Sequence, residues 1–272
     1  MSKVDFHLHS SASDGLFTPR QVMEITASAG LRAAGLTDHD TVKGLNEAKE
    51  AAIDLDLELI PGVEISVYEK NREIHLLGYY PQKLNKLSAA LEDIRSKRFR
   101  RMGLIVNNLK KLGFKVEPEE VLVEAGDAAP GRLHLARLLL KKKYVHTINE
   151  AFKTYLNRGK PAFVSRESMS AAEVLDLLNQ VGAVSVYAHP GNTGKEVLDE
   201  LTANGLQGIE VYHPDHSKGL ARYYKEYAEA KKLLITGGSD FHGQNINNHG
   251  YQQKYAISYE YLQAMKDAIG RS

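Results

Sequence analysis

His7 and His9 flank a single leucine at the end of the apolar run Val4 to Leu8. Alternate side chains of a strand share a face, so these two imidazoles can converge on one ion. A lone His-x-His pair arises often by chance, but this one has company. Asp14 follows in the polar stretch Ser10-Ser11-Ala12-Ser13-Asp14-Gly15, and Asp38-His39-Asp40 follows the run Ala33 to Thr37. Glu64 sits in Pro61-Gly62-Val63-Glu64-Ile65, and His75 lies between Ile74 and Leu76. His189 sits in Ala188-His189-Pro190, and Asp240 and His242 share Ser239-Asp240-Phe241-His242. Each has an ordinary reading on its own: His75 as a satisfied core histidine, Asp14-Gly15 as a turn, Asp240 as a helix cap. Together they put a metal ligand at one strand after another, which a metal centre explains at once. Imidazole mixed with carboxylate suits Mn²⁺, Fe²⁺ or Zn²⁺ better than Ca²⁺ or Mg²⁺, and Mn²⁺ is the favoured ion. The chain has no cysteine, which excludes thiolate sites and disulfides.

The elements that must position these residues alternate. Val4 to Leu8 reads as a strand, and Thr18-Pro19-Arg20-Gln21 as a helix start, with Thr as N-cap, Pro at the first position and Gln closing a capping box. That helix is expected to end at Gly30. Further strands are expected at Ala33 to Thr37, at Glu58 to Val67 with a break at Pro61-Gly62, and at Glu73 to Tyr79, with a helix at Gly44 to Leu55. After a helical middle segment the alternation resumes. Ser170-Ala171-Ala172-Glu173 is a second capping box, and strands are expected at Ala183 to Ala188, Gly208 to Tyr212, Leu233 to Thr236 and Tyr255 to Ile257. About seven or eight βα units point to an α/β parallel sheet or barrel. The middle segment reads as a helical insertion. Leu87, Leu91, Ile94, Met102, Ile105, Leu109 and Leu112 fall on one face of a single long helix, followed by helices at Leu133 to Lys142 and Asn149 to Leu156. The expected domains are therefore residues 1–84 with 166–272, and an insertion over 85–165.

The 272 residues, 43% hydrophobic and 25% charged, suit an ordinary globular chain. No apolar run approaches a membrane span, and the first residues lack the apolar core of a signal peptide. The cytoplasm is the expected compartment. Net charge is only +1, but its distribution is uneven. Residues 85–165 hold 17 Lys/Arg against 8 Asp/Glu, a net of +9, and the remainder carries −8. Such a segment suits an anionic partner, although a solvated helical surface is the plain alternative.

On the motifs His7-Leu8-His9, Asp14-Gly15, Thr37-Asp38-His39-Asp40, Gly62-Val63-Glu64, His75, Ala188-His189-Pro190 and Ser239-Asp240-Phe241-His242, the sequence resembles the PHP (polymerase and histidinol phosphatase) family. The likeness runs from residue 3 to about 245. More narrowly, it resembles the stand-alone bacterial branch that includes 3′,5′-nucleoside bisphosphate phosphatases and 5′→3′ exoribonucleases. The resemblance implies a distorted (β/α)₇ TIM-like barrel with a helical insertion. It also implies two or three divalent ions: one on His7, His9, Glu64 and Asp240, a second on Glu64, His75 and His189, a third on Asp14, His39 and His242. Asp38 and Asp40 are expected to orient the histidines from behind.

Phosphate-ester hydrolysis gathers negative charge on phosphoryl and leaving oxygens, and a metal ion makes bound water acidic enough to serve near neutral pH. With no serine, cysteine or aspartate nucleophile paired to its own base in evidence, attack by a metal-bridging hydroxide is the expected route. The expected substrate is the 3′-phosphate of 3′,5′-nucleoside bisphosphates, short RNA taken 5′→3′, or both. A histidinol-phosphatase-like enzyme and a non-catalytic nucleic-acid-binding module are the alternatives, with amide hydrolysis a further one. Gly131-Arg132-Leu133-His134 opens a helix where amides and guanidinium favour phosphate. Arg132, His134, Lys160 and Arg98 are the candidate substrate contacts, Arg98 because it interrupts the apolar stripe. His213 and His216 are candidates to line the pocket, one of them protonating the leaving oxygen. His146 and His249 read as surface residues, and no obligate protein partner is evident.

Overall fold

The computed structural model describes residues 2–69, 72–126, 130–165, 169–243, 251 and 253–270. The chain divides into two compact units, Met1–Ala90 with Met169–Ser272, and Leu91–Ser168.

The first unit is built on one eight-stranded sheet. Its strands are β1 (Lys3–Leu8), β2 (Ala33–Leu36), β3 (Glu58–Glu69), β4 (Arg72–Tyr79), β5 (Val184–Ala188), β6 (Gly208–Tyr212), β7 (Leu234–Gly237) and β8 (Ile257–Ser258). The order across the sheet is β7-β6-β5-β4-β3-β2-β1-β8. β1, β2 and β3 pair in parallel, as do β5, β6 and β7, whereas β4 runs antiparallel to both β3 and β5. β8 closes against β1 in antiparallel sense. Backbone bonds from Asp240 N–H to His7 O (3.0 Å) and from His9 N–H to Phe241 O (3.0 Å) tie the end of β7 to the end of β1. The sheet is thereby nearly closed into a distorted TIM-like barrel.

The departure from strict βα alternation has a simple cause. Only residues 70–71 separate β3 from β4, too few for the crossover a parallel neighbour requires. The expected break at Pro61-Gly62 does not occur. Glu58–Glu69 is one strand that changes partner there, pairing β2 through Pro61 and β4 from Gly62 onward. The proline's missing N–H falls where the ladder changes hands, so it costs little.

Helices α1 (Pro19–Ser28), α2 (Leu45–Asp54), α7 (Ala171–Gln180), α8 (Lys195–Ala203), α9 (Lys218–Lys231) and α10 (Tyr259–Ile269) belong to this unit. Thr18 caps α1 and Ser170 caps α7, each in a capping box. Val22 and Met23 of α1 pack with Ala48, Ala51 and Ala52 of α2 and with Leu8 and Leu36 beneath. The alanines let the two helices approach. A fully buried Val or Met contributes roughly 1.5–3 kcal/mol, which anchors the strand ends that carry the polar residues. α8 and α10 were not among the helices expected from the sequence. The second unit holds most of α3 (Leu84–Lys111), with α4 (Pro118–Ala125), α5 (Arg132–Lys141), α6 (Ile148–Ala151) and a π-helical turn at Phe152–Leu156. Its own core joins Met102, Ile105, Leu109, Val121, Leu135 and Leu139. Leu112 lies just past α3 and is 44% exposed, outside the stripe expected to bury it.

Candidate metal centre

The strand ends bring the expected ligands together. His7 lies within β1 and His9 just after it, Glu64 lies within β3, His75 within β4, and His189 follows β5. Backbone pairing extends beyond the strands: Asp40 N–H donates to Glu64 O (2.8 Å) and Glu64 N–H to Asp38 O (3.2 Å). Segments that carry ligands are thus hydrogen-bonded to one another.

His7 Nε2, His9 Nε2, Glu64 Oε2 and Asp240 Oδ1 form one tight group. Both imidazole nitrogens lie 3.2 Å from Glu64 Oε2, and 3.3 and 3.0 Å respectively from Asp240 Oδ1. The two nitrogens are themselves 3.0 Å apart. Four ligands on a small tetrahedral ion at about 2 Å stand a little over 3 Å from one another, so the spacing fits a cation at their centre. Glu64 turns its other oxygen to a second group: Oε1 lies 2.8 Å from His75 Nδ1 and 3.0 Å from His189 Nε2, which are 3.3 Å apart. A third group joins Asp14, His39 and His242 with His9, their ligand atoms all within 4.8 Å. Within it, His242 Nε2 is 3.2 Å and His39 Nε2 3.8 Å from Asp14.

The chemistry of the donors tests whether a metal belongs here. Among the described residues, Asp240 Oδ1, His9 Nδ1 and His39 Nδ1 are buried without a hydrogen bond of acceptable geometry. Buried polar atoms are rarely left so. A cation among His7, His9, Glu64 and Asp240 would satisfy Asp240 Oδ1, and His39 Nδ1 lies 3.1 Å from Glu64 Oε2, so the cluster is one capable of binding metal.

Two acids that the sequence reading missed support this arrangement. Glu210, wholly buried in β6, accepts from His7 Nδ1 at 3.0 Å and from the His189 backbone N–H at 2.8 Å. It therefore orients the ring of His7, with Nε2 turned toward the ligand side, and holds the main chain at His189. Asp5, also wholly buried, accepts from the backbone N–H of His7 and Ser239 and from the Tyr251 hydroxyl. A charged residue inside an apolar strand, as in Gly208-Ile209-Glu210-Val211, was the available signal. Asp38 does not orient an imidazole as expected. It accepts from Ser10 N–H, Ser10 Oγ and Ser13 Oγ at 2.7, 2.7 and 2.6 Å, and so holds the loop that presents Asp14. Asp40 accepts from Ser66 N–H. Its φ of 50°, with 28° at His189 and 51° at Asp240, is a costly backbone state that clusters at functional sites. Gly238 is required beside them, because a Cβ there would lie 2.4 Å from His7 Cβ. Replacing Glu210 by Gln is expected to weaken metal affinity by about 10–100-fold, with turnover largely recovered at saturating metal. Titration of activity against Mn²⁺ checks this, and unchanged affinity would refute the orienting role.

The protonation states follow from this crowding. Burial disfavours charge on His9 and His75, yet neighbouring carboxylates outweigh it and push both up to about 10: Asp240 and Glu64 for His9, Glu64 and Glu73 for His75. His7 is likewise raised, by Glu210, Glu64 and Asp240 against its burial. Burial opposes the charge of Glu64 and Asp240 too, but the surrounding imidazoles hold both well below the usual carboxylate range. His39 goes the other way, down to about 4, through burial and the charges of His9 and His75. A metal must therefore displace protons from the raised histidines. Their folded pKa exceeds the ordinary 6.5, so in metal-free protein their stabilisation is complete below 6.5 and lost as pH rises toward about 10. Metal-free protein is expected to lose thermal stability over that window, while Mn²⁺ affinity rises by up to roughly tenfold per pH unit for each proton displaced. Calorimetry in buffers of different ionisation heat reads the released protons directly. Binding with no proton release would contradict the assignment.

His213 and His216 have different surroundings. His213, 3% exposed, accepts the Asp215 backbone N–H at Nδ1 and places Nε2 3.5 Å from Asp240 Oδ2. His216 donates from Nδ1 to Val211 O (2.8 Å) and accepts from Gly191 N–H at Nε2 (3.1 Å). Both of its nitrogens brace backbone, which leaves it no proton to give. In the helical unit, His134 Nδ1 accepts the Gly131 N–H at the start of α5, and Arg132 donates to Leu156 O at 3.4 Å. Arg98 is partly buried and Lys160 exposed. Arg95, not Arg98, is the more deeply buried cation of the helix, at 9% exposure. His146 is exposed, and His249 lies outside the described residues.

A PHP domain model matches residues 5–269, and the chain belongs to that family. Its class is that of metal-dependent phosphoesterases, hydrolases of phosphate esters. A 5′-3′ exoribonuclease of Haemophilus influenzae is 33% identical over 88% of this chain and 90% of its own. A phosphoribosyl 1,2-cyclic phosphate 1,2-diphosphodiesterase of Eggerthella lenta is 31% identical over 88% and 94%. A 3′,5′-nucleoside bisphosphate phosphatase of Chromobacterium violaceum is 31% identical over 89% and 88%. Among solved structures, a Bifidobacterium adolescentis protein described as a metal-dependent phosphoesterase superposes with a TM-score of 0.81 at 29% identity, over 96% of this chain and 94% of that one. No described helix is long and apolar enough to cross a membrane.

Proposed function

We propose that this chain hydrolyses phosphate esters of nucleotides, removing the 3′-phosphate of 3′,5′-nucleoside bisphosphates and shortening RNA from its 5′ end. The observation that carries the reading is the division of Glu64, with His7, His9 and Asp240 on one oxygen and His75 and His189 on the other. Held side by side in this way, divalent cations, Mn²⁺ foremost, would polarise phosphoryl oxygens and make water acidic enough to attack. The proposed ligands are His7, His9, Glu64 and Asp240 for one ion, Glu64, His75 and His189 for a second, and Asp14, His39 and His242 for a third. Glu210 fixes the ring of His7, and Asp38 fixes the loop of Asp14. Residues 85–165, with their net charge of +9, are the proposed insertion domain. Arg98, Arg132, His134 and Lys160 are proposed to meet a second phosphate there, which a substrate with more than one phosphate supplies and histidinol phosphate does not.

The test is phosphate release from adenosine 3′,5′-bisphosphate, nucleotide release from a 5′-phosphorylated oligoadenylate, and phosphate release from histidinol phosphate, each with Mn²⁺ and beside His7→Ala. Release from the nucleotides alone, lost in the variant, supports the reading. Preferred hydrolysis of histidinol phosphate would replace it with the monoester alternative. No release from any substrate by metal-loaded protein would leave a binding role.

A further inference from the structure

A cavity of about 730 Å³ opens in the barrel unit between α9, the end of β6 and the β8–α10 segment. Its size is within the ~300–1,000 Å³ of small-molecule sites. Its lining includes Lys218, Arg222, Lys225 and Lys254, with the rings of Tyr212 and Tyr261. No described lining residue is acidic, although the barrel part of the chain carries the negative share of the charge.

Three of the cations come from one face of α9. Lys218, Arg222 and Lys225 follow at helical spacings of four and three residues, with Ala221 among them leaving room. Like charges at such spacing oppose the helix slightly. Lys225 has a neighbouring carboxylate, Glu229 at 3.7 Å. Tyr212 and Tyr261 stand with ring centroids 6.3 Å apart and planes tilted by 60°. Cations that track a backbone, with aromatic faces set among them, are the recurrent means of holding single-stranded nucleic acid.

The cavity also adjoins the metal centre. His213 lines it, and the same ring sets Nε2 3.5 Å from Asp240 Oδ2. We infer that this cavity is a subsite for an oligonucleotide strand: it takes the nucleotides next to the scissile phosphate, with Lys218, Arg222 and Lys225 on their phosphates and the tyrosines against their bases. This rests on the nucleotide reading above and deepens it, because it adds a site that a mononucleotide does not fill.

The experiment compares wild-type protein, Arg222→Glu, and the triple variant Lys218→Glu/Arg222→Glu/Lys225→Glu, all Mn²⁺-loaded. Substrates are a 5′-phosphorylated oligoadenylate and adenosine 3′,5′-bisphosphate. The triple variant is expected to raise the oligonucleotide KM by about tenfold or more and to lower its dependence on log salt by roughly two units, at ~0.7 for each phosphate no longer neutralised. KM and kcat for the bisphosphate stay unchanged, which also shows that the variant folds. Arg222→Glu gives a smaller change in the same direction. Tyr261→Ala is expected to weaken the oligonucleotide and leave competition by inorganic tripolyphosphate unaltered. Equal KM changes on both substrates, or none on either, would overturn the subsite. If wild-type protein hydrolyses neither substrate, the nucleotide reading fails instead. Fluorescence anisotropy of a labelled oligoadenylate then still decides the cavity: equal affinity of wild type and triple variant refutes it.

Discussion

Glu64→Gln is expected to lower kcat/KM for every phosphate ester by on the order of 10³-fold or more, since metal stabilisation of the transition state amounts to several kcal/mol. The substitution keeps size and shape but replaces one carboxylate oxygen with an amide nitrogen that cannot act as a ligand. Glu64 serves two groups at once, through Oε2 toward His7, His9 and Asp240 and through Oε1 toward His75 and His189. Whichever way the amide turns, one group loses its anionic oxygen. Glu64 is also wholly buried among imidazoles, so removing its charge leaves those rings without their counter-charge. Metal content by elemental analysis should fall with activity. Asp240→Asn provides the contrast, because Asp240 touches the His7–His9 group and not the His75–His189 pair. It should retain more metal than Glu64→Gln. Full metal content with undiminished turnover in Glu64→Gln would rule out a shared carboxylate.

His213→Gln is expected to reduce kcat by about 10²–10⁴-fold, the usual contribution of a positioned general acid, on substrates whose leaving group is a sugar hydroxyl. The assignment rests on where its nitrogens point. In the neutral ring Nδ1 accepts the Asp215 backbone N–H; the ring that donates is the imidazolium, whose Nδ1–H has Asp215 Oδ2 at 3.9 Å and whose Nε2–H is the proton to give. Nε2 is buried without a hydrogen-bond partner among the described residues and faces Asp240. Burial opposes the ring's charge, but Asp240 and Glu210 raise its pKa above the ordinary value nonetheless, which keeps a proton available near neutral pH. A leaving group that needs no proton separates this role from a structural one. With p-nitrophenyl phosphate the variant should stay within a few-fold of wild type, because an acidic phenol departs as the anion. Equal losses on both substrates would show that His213 holds the site together and donates nothing. His216→Gln should instead lower thermal stability with little change in the leaving-group dependence, since His216 braces Val211 and Gly191.

Much of the candidate metal centre was legible in the sequence because the residues that come together there are tied to local pattern. His7 and His9 announce themselves through strand alternation, and Asp38-His39-Asp40, His189 and Asp240 through their places just after apolar runs. The helix starts at Thr18 and Ser170 were equally readable, since a capping box involves only four consecutive residues. What escaped was whatever depended on pairing across long separations. Glu210 and Asp5 carry no local mark beyond an acid in an apolar strand; Glu210 matters because the barrel sets it behind His7, and Asp5 because the barrel brings Ser239 and Tyr251 to it. Asp38 seemed a natural partner for a histidine, but the returning loop put Ser10 and Ser13 in reach of it instead. The antiparallel course of β4 depended on a connection too short for a crossover. By itself, then, the sequence determined which imidazoles and carboxylates could act as donors and the α/β character of the chain, because residue type and short periodicity decide both. Only the tertiary structure decided how those donors are shared. The turning of Glu64's oxygens to opposite groups and the cavity beside His213 arise from distant strands and helices packed together, which no local pattern encodes.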